Sequence, residues 1–159
     1  FYFEKIKAKD FFEEYTAYAA DTLGEAGIEF IYNFECDEDR EINIDPAQFR
    51  RVLNNLIDNS RKYGAEDGTA KIMLSVRNGE DGHTEISIED NGQGVPADER
   101  DKIFETFYRG DKARTGHKNG SGLGLAITKQ ITDRHGASIR ADESELGGLK
   151  VIIDLPQAK

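Results

Sequence analysis

The chain predicts a two-layer α/β sandwich, with helices packed on one face of a mixed sheet. Two amphipathic helical stretches, near 10–24 and 45–63, are interleaved with short alternating or apolar runs. The elements do not alternate strictly as βαβα, which argues against a doubly wound parallel sheet. All 159 residues fit one domain, and at 37% hydrophobic the chain can bury a single core.

Residues 2–8 alternate and read as a strand. Asp10 and Glu13 have capping-box spacing, and Phe11, Tyr15, Ala19 and Leu23 follow at helical period until Gly24 and Gly27. Ile28–Phe34 and Glu41–Ile44 read as a hairpin around the acidic turn Cys36–Arg40. Asp45-Pro46-Ala47-Gln48 is a strong helix start: a capping carboxylate, then proline at the first helical position. Phe49, Val52, Leu53, Leu56 and Ile57 form its apolar stripe, and Gly64 ends it. Strands at about 69–77 and 84–90 flank a turn at Asn78–Gly82. The segment 92–120 is rich in glycine and charge, with Ile103, Phe104, Phe107 and Tyr108 as its apolar cluster. It reads as a functional loop with a short helix. A helix over about 121–135 stops at Gly136, and strands near 137–142 and 149–155 close the chain.

Composition narrows the function. A net charge of −10, with basic residues scattered, disfavours a nucleic-acid partner. One cysteine, Cys36, forms no internal disulfide. No apolar run reaches the roughly 18 residues of a membrane helix, so direct membrane contact is not expected. The start at Phe1 suggests a piece excised from a longer protein.

Four local patterns carry chemistry. Ile86, Ile88 and Asp90 share one strand face, expected to be the core face, with Glu85, Ser87 and Glu89 on the other. A carboxylate ending an apolar face needs a donor, and an adenine amino group would serve. Gly92 and Gly94 let the backbone turn beside a flat base, although Asp-Asn-Gly is also a common turn. On the second helix Asn55, Asn59 and Lys62 lie on one flank, between core and solvent. Amide oxygens suit magnesium and the lysine suits phosphate; a solvated helix flank is the alternative. Gly120-Ser121-Gly122-Leu123-Gly124-Leu125 opens a helix, where free N–H groups bind phosphate, or it is a hinge. No Walker lysine follows. Arg109 could reach a terminal phosphate. His83, His117 and His135 lack metal-ligand spacing.

In order, Asn55-Leu56-Ile57-Asp58-Asn59-Ser60-Arg61-Lys62-Tyr63, Asp90-x-Gly92-x-Gly94, Ile103-Phe104-Glu105-Thr106-Phe107-Tyr108-Arg109 and Gly120-x-Gly122-x-Gly124-Leu125 resemble the N, first glycine, F and second glycine boxes of the catalytic domain of bacterial sensor histidine kinases. These belong with gyrase, the ninety-kilodalton heat-shock chaperone and mismatch-repair ATPases in one superfamily. The resemblance covers nearly all of residues 1–159. It implies a Bergerat-type sandwich with about three helices and a mobile ATP lid over about 95–121.

The same resemblance implies ATP and Mg²⁺ as cofactors. It gives Asp90 the adenine amino group and Asn59, helped by Asn55, the magnesium. Lys62 and Arg109 would meet phosphates, and Asn55, Asn59, Lys62 and Arg109 would be the catalytic set. Tyr63, Gly92, Gly94, Val95, Tyr108, Gly120, Gly122, Leu123, Gly124 and Leu125 would line the nucleotide. The implied activity is transfer of the γ-phosphoryl group to a histidine on a separate helical dimerisation domain, for relay to a response-regulator receiver domain. No histidine of this chain has the phosphoacceptor context. The implied setting is a cytoplasmic, monomeric domain of a membrane-anchored parent. Two departures matter. ATP-hydrolysing relatives carry a Glu general base where Asn55 stands, and an amide cannot replace it. Lys150 stands where many relatives carry Ser or Thr on the strand behind the adenine. An anti-sigma-type protein serine kinase, a non-catalytic nucleotide-sensing module and a gyrase-like ATPase are the rival readings.

Overall fold

A computed structural model describes residues 1–106 and 124–159. Its centre is a five-stranded sheet in the order β2-β4-β5-β7-β6, formed by β2 (Glu29–Glu35), β4 (Lys71–Asn78), β5 (Thr84–Asp90), β6 (Ser138–Glu143) and β7 (Leu149–Leu155). β2 and β4 run parallel and the other pairs antiparallel. The mixed sheet expected from the element order is therefore present. A second, two-stranded ladder joins β1 (Glu4–Lys7) to β3 (Glu41–Ile44).

That second ladder corrects the expected hairpin. The run around 28–34 pairs with β4, not with Glu41–Ile44. In this register Phe30, Tyr32 and Phe34 stand opposite Ile72, Leu74 and Val76, extending one apolar face across the sheet. β3 instead buries Ile42 and Ile44 in the hydrophobic core. The link between them is closed locally, with the Arg40 N–H donating to the Asp37 carbonyl at 3.1 Å.

Helix α1 (Ala8–Glu25) follows β1 without a loop. Lys7 occupies the cap position and no side chain caps the helix, so the capping box expected at Asp10 does not form. The ladder does that work: the Ala8 N–H donates to the Arg40 carbonyl at 2.8 Å. Asp10 lies in the first turn, where its charge suits the helix dipole.

Helix α2 (Pro46–Lys62) begins as the sequence requires, with Asp45 at the cap and Pro46 next. Phe49, Val52, Leu53, Leu56 and Ile57 are all buried. They meet a sheet face of Ile72, Leu74, Val76, Ile86, Ile88 and Ile153 in one core. Helix α3 (Gly124–Arg134) lies beside α2 and ends at Gly136, whose φ of +69° suits glycine. The three described helices and the sheet form the two-layer sandwich.

Ile86, Ile88 and Asp90 occupy the core face of β5, as expected. The opposite face is less open than the sequence suggests. Ser87 and Glu89 are buried there, because β5 is the central strand and Met73, Ser75, Lys150 and Ile152 stand across from them. No described helix is long and apolar enough to cross a membrane.

Candidate nucleotide site

The site is built around the C-terminal half of α2. Asn55 and Asn59 are half-buried and Lys62 is exposed, while Asn54, Asp58 and Arg61 face solvent. The flank inferred from helical period is thus the boundary between core and water. The Asn55 amide nitrogen donates to the Gly124 carbonyl at 3.4 Å and to Thr128 Oγ1 at 3.3 Å. With its N–H groups directed to α3, Asn55 keeps its amide oxygen as an acceptor for a hard cation. The side chain of Asn59, one turn on, makes no hydrogen bond to the described residues. Among the described residues no group of three or more His, Cys, Asp and Glu could hold a metal.

At the other end, Asp90 closes β5 and is only 3% exposed. Its Oδ1 accepts two main-chain N–H bonds, from Gly92 at 2.9 Å and from Leu149 at 3.2 Å. The two donors fix the orientation of the carboxylate. Gly92 lies directly on the C-terminus of α2. A Cβ there would overlap the Tyr63 carbonyl oxygen and come within 2.7 Å of the Gly64 Cα. The Gln93 N–H completes the join by donating to the Tyr63 carbonyl at 3.2 Å. Tyr63, Asp90 and Gly92 are therefore one unit, although the first is remote from the others in sequence.

Gly94 takes a φ of +70°, the left-handed conformation that glycine adopts without strain. Val95 is buried, and its carbonyl accepts from Arg100 Nε at 3.2 Å. After a short 3-10 turn at Ala97–Glu99, Ile103 and Phe104 are buried in the core. The described part of the expected lid, 95–106, is accordingly tied to the domain. Gly124 starts α3, and Leu125 packs half-buried against the core. Tyr108, Arg109, Gly120, Gly122 and Leu123 lie outside the described residues, as does the rest of the lid.

The ladder places Lys150, noted above as a departure from the relatives. Lys150 pairs across the ladder with Glu89, on the sheet face opposite Asp90. Period two puts Leu149 on the Asp90 side, and its N–H is the one that donates to Asp90 Oδ1. Two residues escaped the sequence reading. Thr128 is fully buried and donates to the Gly124 carbonyl at 2.9 Å, fixing the start of α3 beside Asn55. Gly148 adjoins Asp90, and its one sequence signal is the glycine pair Gly147-Gly148 before a strand.

Residues 44–159 match the family model described as histidine kinase-, DNA gyrase B-, and HSP90-like ATPase. The chain belongs to this ATPase family. The matched span runs from the end of β3 to the C-terminus and contains every site residue named above. Within the family, the chain is 41% identical over 132 residues to the sensor histidine kinase WalK of Bacillus subtilis (strain 168). That match covers 83% of this chain and 21% of WalK, so the chain spans about a fifth of that relative's length. The fold agrees with that of the nucleotide-free catalytic domain of histidine kinase ThkA, with a TM-score of 0.81, 23% identity and full coverage of both chains. The ATP binding domain of PrrB from Mycobacterium tuberculosis superposes with a TM-score of 0.72 at 27% identity, covering 99% of this chain and 98% of that one.

Proposed function

We propose that this domain binds ATP with Mg²⁺ and donates the γ-phosphoryl group to a histidine on a separate helical dimerisation domain. The observation that carries the reading is the buried Asp90 carboxylate, oriented by two main-chain N–H groups and joined through Gly92 to the helix bearing Asn55 and Asn59. Such a carboxylate accepts from the exocyclic amino group of adenine, and a guanine carbonyl would meet it with repulsion. The similarity to sensor histidine kinases and to a domain named for ATP binding supports the same conclusion.

In this reading Asn59 and Asn55 offer amide oxygens to the magnesium ion, whose charge neutralises the phosphates. Lys62, exposed at the end of α2, and Arg109 reach the phosphate chain. Gly120, Gly122, Leu123, Gly124 and Leu125, the residues of the second glycine box, receive phosphates. Tyr63, Gly94, Val95 and Tyr108 border the nucleotide. Phosphoryl transfer demands chiefly positioning and charge neutralisation, and this donor set is suited to both. The acceptor imidazole nitrogen bonds to the γ-phosphorus as the bond to the ADP oxygen breaks. Asn55 has no proton-accepting carboxylate to activate water, which favours transfer over hydrolysis. A receiver domain is the downstream partner, and the parent's catalytic portion faces the cytoplasm.

Calorimetry with a nonhydrolysable ATP analogue and magnesium tests the binding step. Saturable binding that is lost in Asp90→Asn is expected; no binding, or equal binding by the variant, overturns it. Labelled ATP with a helical phosphoacceptor domain supplied in trans tests transfer. An acid-labile, base-stable phosphoprotein is expected, and an acid-stable phosphoester would point to a serine kinase.

A further inference from the structure

The adenine-side carboxylate is braced from behind by the turn joining β6 to β7, residues 144–148. Two main-chain links connect Asp90 to this turn and the strand it opens. The Gly148 N–H donates to the Asp90 carbonyl at 3.0 Å, and the Leu149 N–H donates to Asp90 Oδ1 at 3.2 Å. Gly92, the second donor to Oδ1, completes the cage at 2.9 Å. Space around Gly148 is fully used. A Cβ at that position would overlap Asp90 Oδ1 and stand 2.6 Å from the Gly92 nitrogen and 2.7 Å from the Asp90 carbonyl oxygen. Backbone and carboxylate atoms cannot give way as a flexible side-chain tip would. Any side chain at 148 must displace Asp90, the turn, or both.

The turn has its own anchor. Ser144 is buried, and its Oγ donates to Oε1 of buried Glu89 at 2.9 Å while accepting the Leu146 N–H at 3.0 Å. Its N–H donates to the Gly148 carbonyl at 2.8 Å, and its carbonyl accepts from Gly147 at 2.9 Å. Gly147 has a φ of +110°, which the turn needs and glycine supplies. Glu89 and Asp90 are adjacent on β5 and point to opposite faces. The turn therefore grips the end of β5 on both sides: Ser144 holds Glu89, and Gly148 with Leu149 holds Asp90.

We propose that Gly148 and Ser144 are positioning residues for nucleotide binding, setting the carboxylate of Asp90 at the position where it meets the base. The proposal rests on the assignment of Asp90 to the adenine amino group. Neither residue touches nucleotide. Each acts through the β5 terminus, and the loss of either shifts Asp90 while leaving the α2 flank of Asn55, Asn59 and Lys62 in place.

Calorimetry of this chain with a nonhydrolysable ATP analogue and Mg²⁺ separates positioning from general destabilisation. A positioning change alters Kd at unchanged stoichiometry; a folding defect lowers the stoichiometry and leaves Kd alone. Gly148→Ala is expected to raise Kd at least tenfold (about 1.4 kcal/mol) and Ser144→Ala several-fold, both at full stoichiometry. Lys150→Ala, on the opposite sheet face, should bind as the parent does. Asp90→Asn is measured alongside. If Asp90→Asn binds normally, the adenine assignment itself is wrong. If Asp90→Asn binds poorly while Gly148→Ala and Ser144→Ala keep the parental Kd, the positioning role alone is wrong. Should Gly148→Ala not fold, Ser144→Ala decides by the same criterion.

Discussion

The ring of His135 accepts a hydrogen bond at Nε2 from the backbone N–H of Asp45, 3.1 Å away, while its Nδ1–H donates to the Ile131 carbonyl at 2.8 Å. The histidine ends α3 and the aspartate caps α2, so the two helices that flank the candidate site are tied at the ends remote from it. The Nε2 contact requires a neutral ring, whereas the Nδ1–H donation does not. A proton on Nε2 would face the Asp45 N–H, donor against donor.

Stability should therefore fall as the solution is acidified through the histidine range. Burial holds the His135 pKa below 6.5, against smaller raising effects from the Ile131 carbonyl and the Asp45 carboxylate. The unfolded chain then binds a proton that the folded chain refuses. Stability from this group is complete above about 6.5, the ordinary histidine value, and is lost as pH falls toward the depressed folded value. Thermal melts between pH 7.5 and 5.5 should show a declining Tm in the parent and a shallower slope in His135→Leu. Equal slopes would remove the role of His135. A separate decline belongs to Asp45, whose carboxyl is held low by N–H bonds from Tyr2 and Gln48; its contribution persists above about 3.9, the ordinary Asp value, and fades as pH drops through the lowered one.

Asp45 also makes a prediction at neutral pH. Its Oδ1 accepts the Gln48 N–H at 3.1 Å and its Oδ2 accepts the Tyr2 N–H at 2.8 Å. Asp45→Ala should cost about 1 kcal/mol from the lost helix cap. Asp45→Asn retains an acceptor for Gln48 and should cost less. Urea unfolding measures both; an alanine variant as stable as the parent would show that solvent replaces the cap.

The strand Thr84–Asp90 and the start of α2 were legible in the sequence because their signals are local. Alternation, a capping carboxylate and a proline each act within a few residues. Apart from the capping box at Asp10, the failures are long-range. Nothing around 28–44 reveals that its two strands choose different partners, since both are short, apolar and flanked by acidic residues. The Leu149 N–H that meets Asp90 is 59 residues away, and Thr128 is 73 residues from Asn55. A backbone donor has no residue type to betray it, so the cage around Asp90 was invisible while Asp90 itself was not. The buried state of Glu89 was missed for a related reason: alternation assumes a solvated outer face, and a central strand does not guarantee one.

Gly92 gives a steric prediction. Its Cα faces the Tyr63 carbonyl and Gly64 Cα without room for a methyl group. Gly92→Ala should push the loop from α2, costing about 1–3 kcal/mol as overpacking does. The shift also moves the N–H that donates to Asp90 Oδ1, so ATP-analogue affinity should fall beyond what the folded fraction explains. Gly24→Ala is the matched control, since its Cβ would meet nothing within 4 Å. Equal behaviour of the two variants would contradict the packing of the loop on α2.

Thr128 and Asn55 should behave as one unit. Thr128 is fully buried, donates to the Gly124 carbonyl, and accepts from the Asn55 amide. Thr128→Val preserves shape but removes the hydroxyl, leaving an N–H of Asn55 without that acceptor. The lost bonds should cost about 1–2 kcal/mol. Freed from α3, the amide of Asn55 is no longer held in one orientation, and affinity for the ATP analogue with Mg²⁺ should drop several-fold. A double-mutant cycle with Asn55→Ala isolates the pair. Residues in direct contact are expected to show a coupling of about 0.5–3 kcal/mol, whereas independent sites add. A coupling near zero, in stability and in analogue binding alike, would show that Thr128 supports α3 alone and that Asn55 is oriented by the nucleotide.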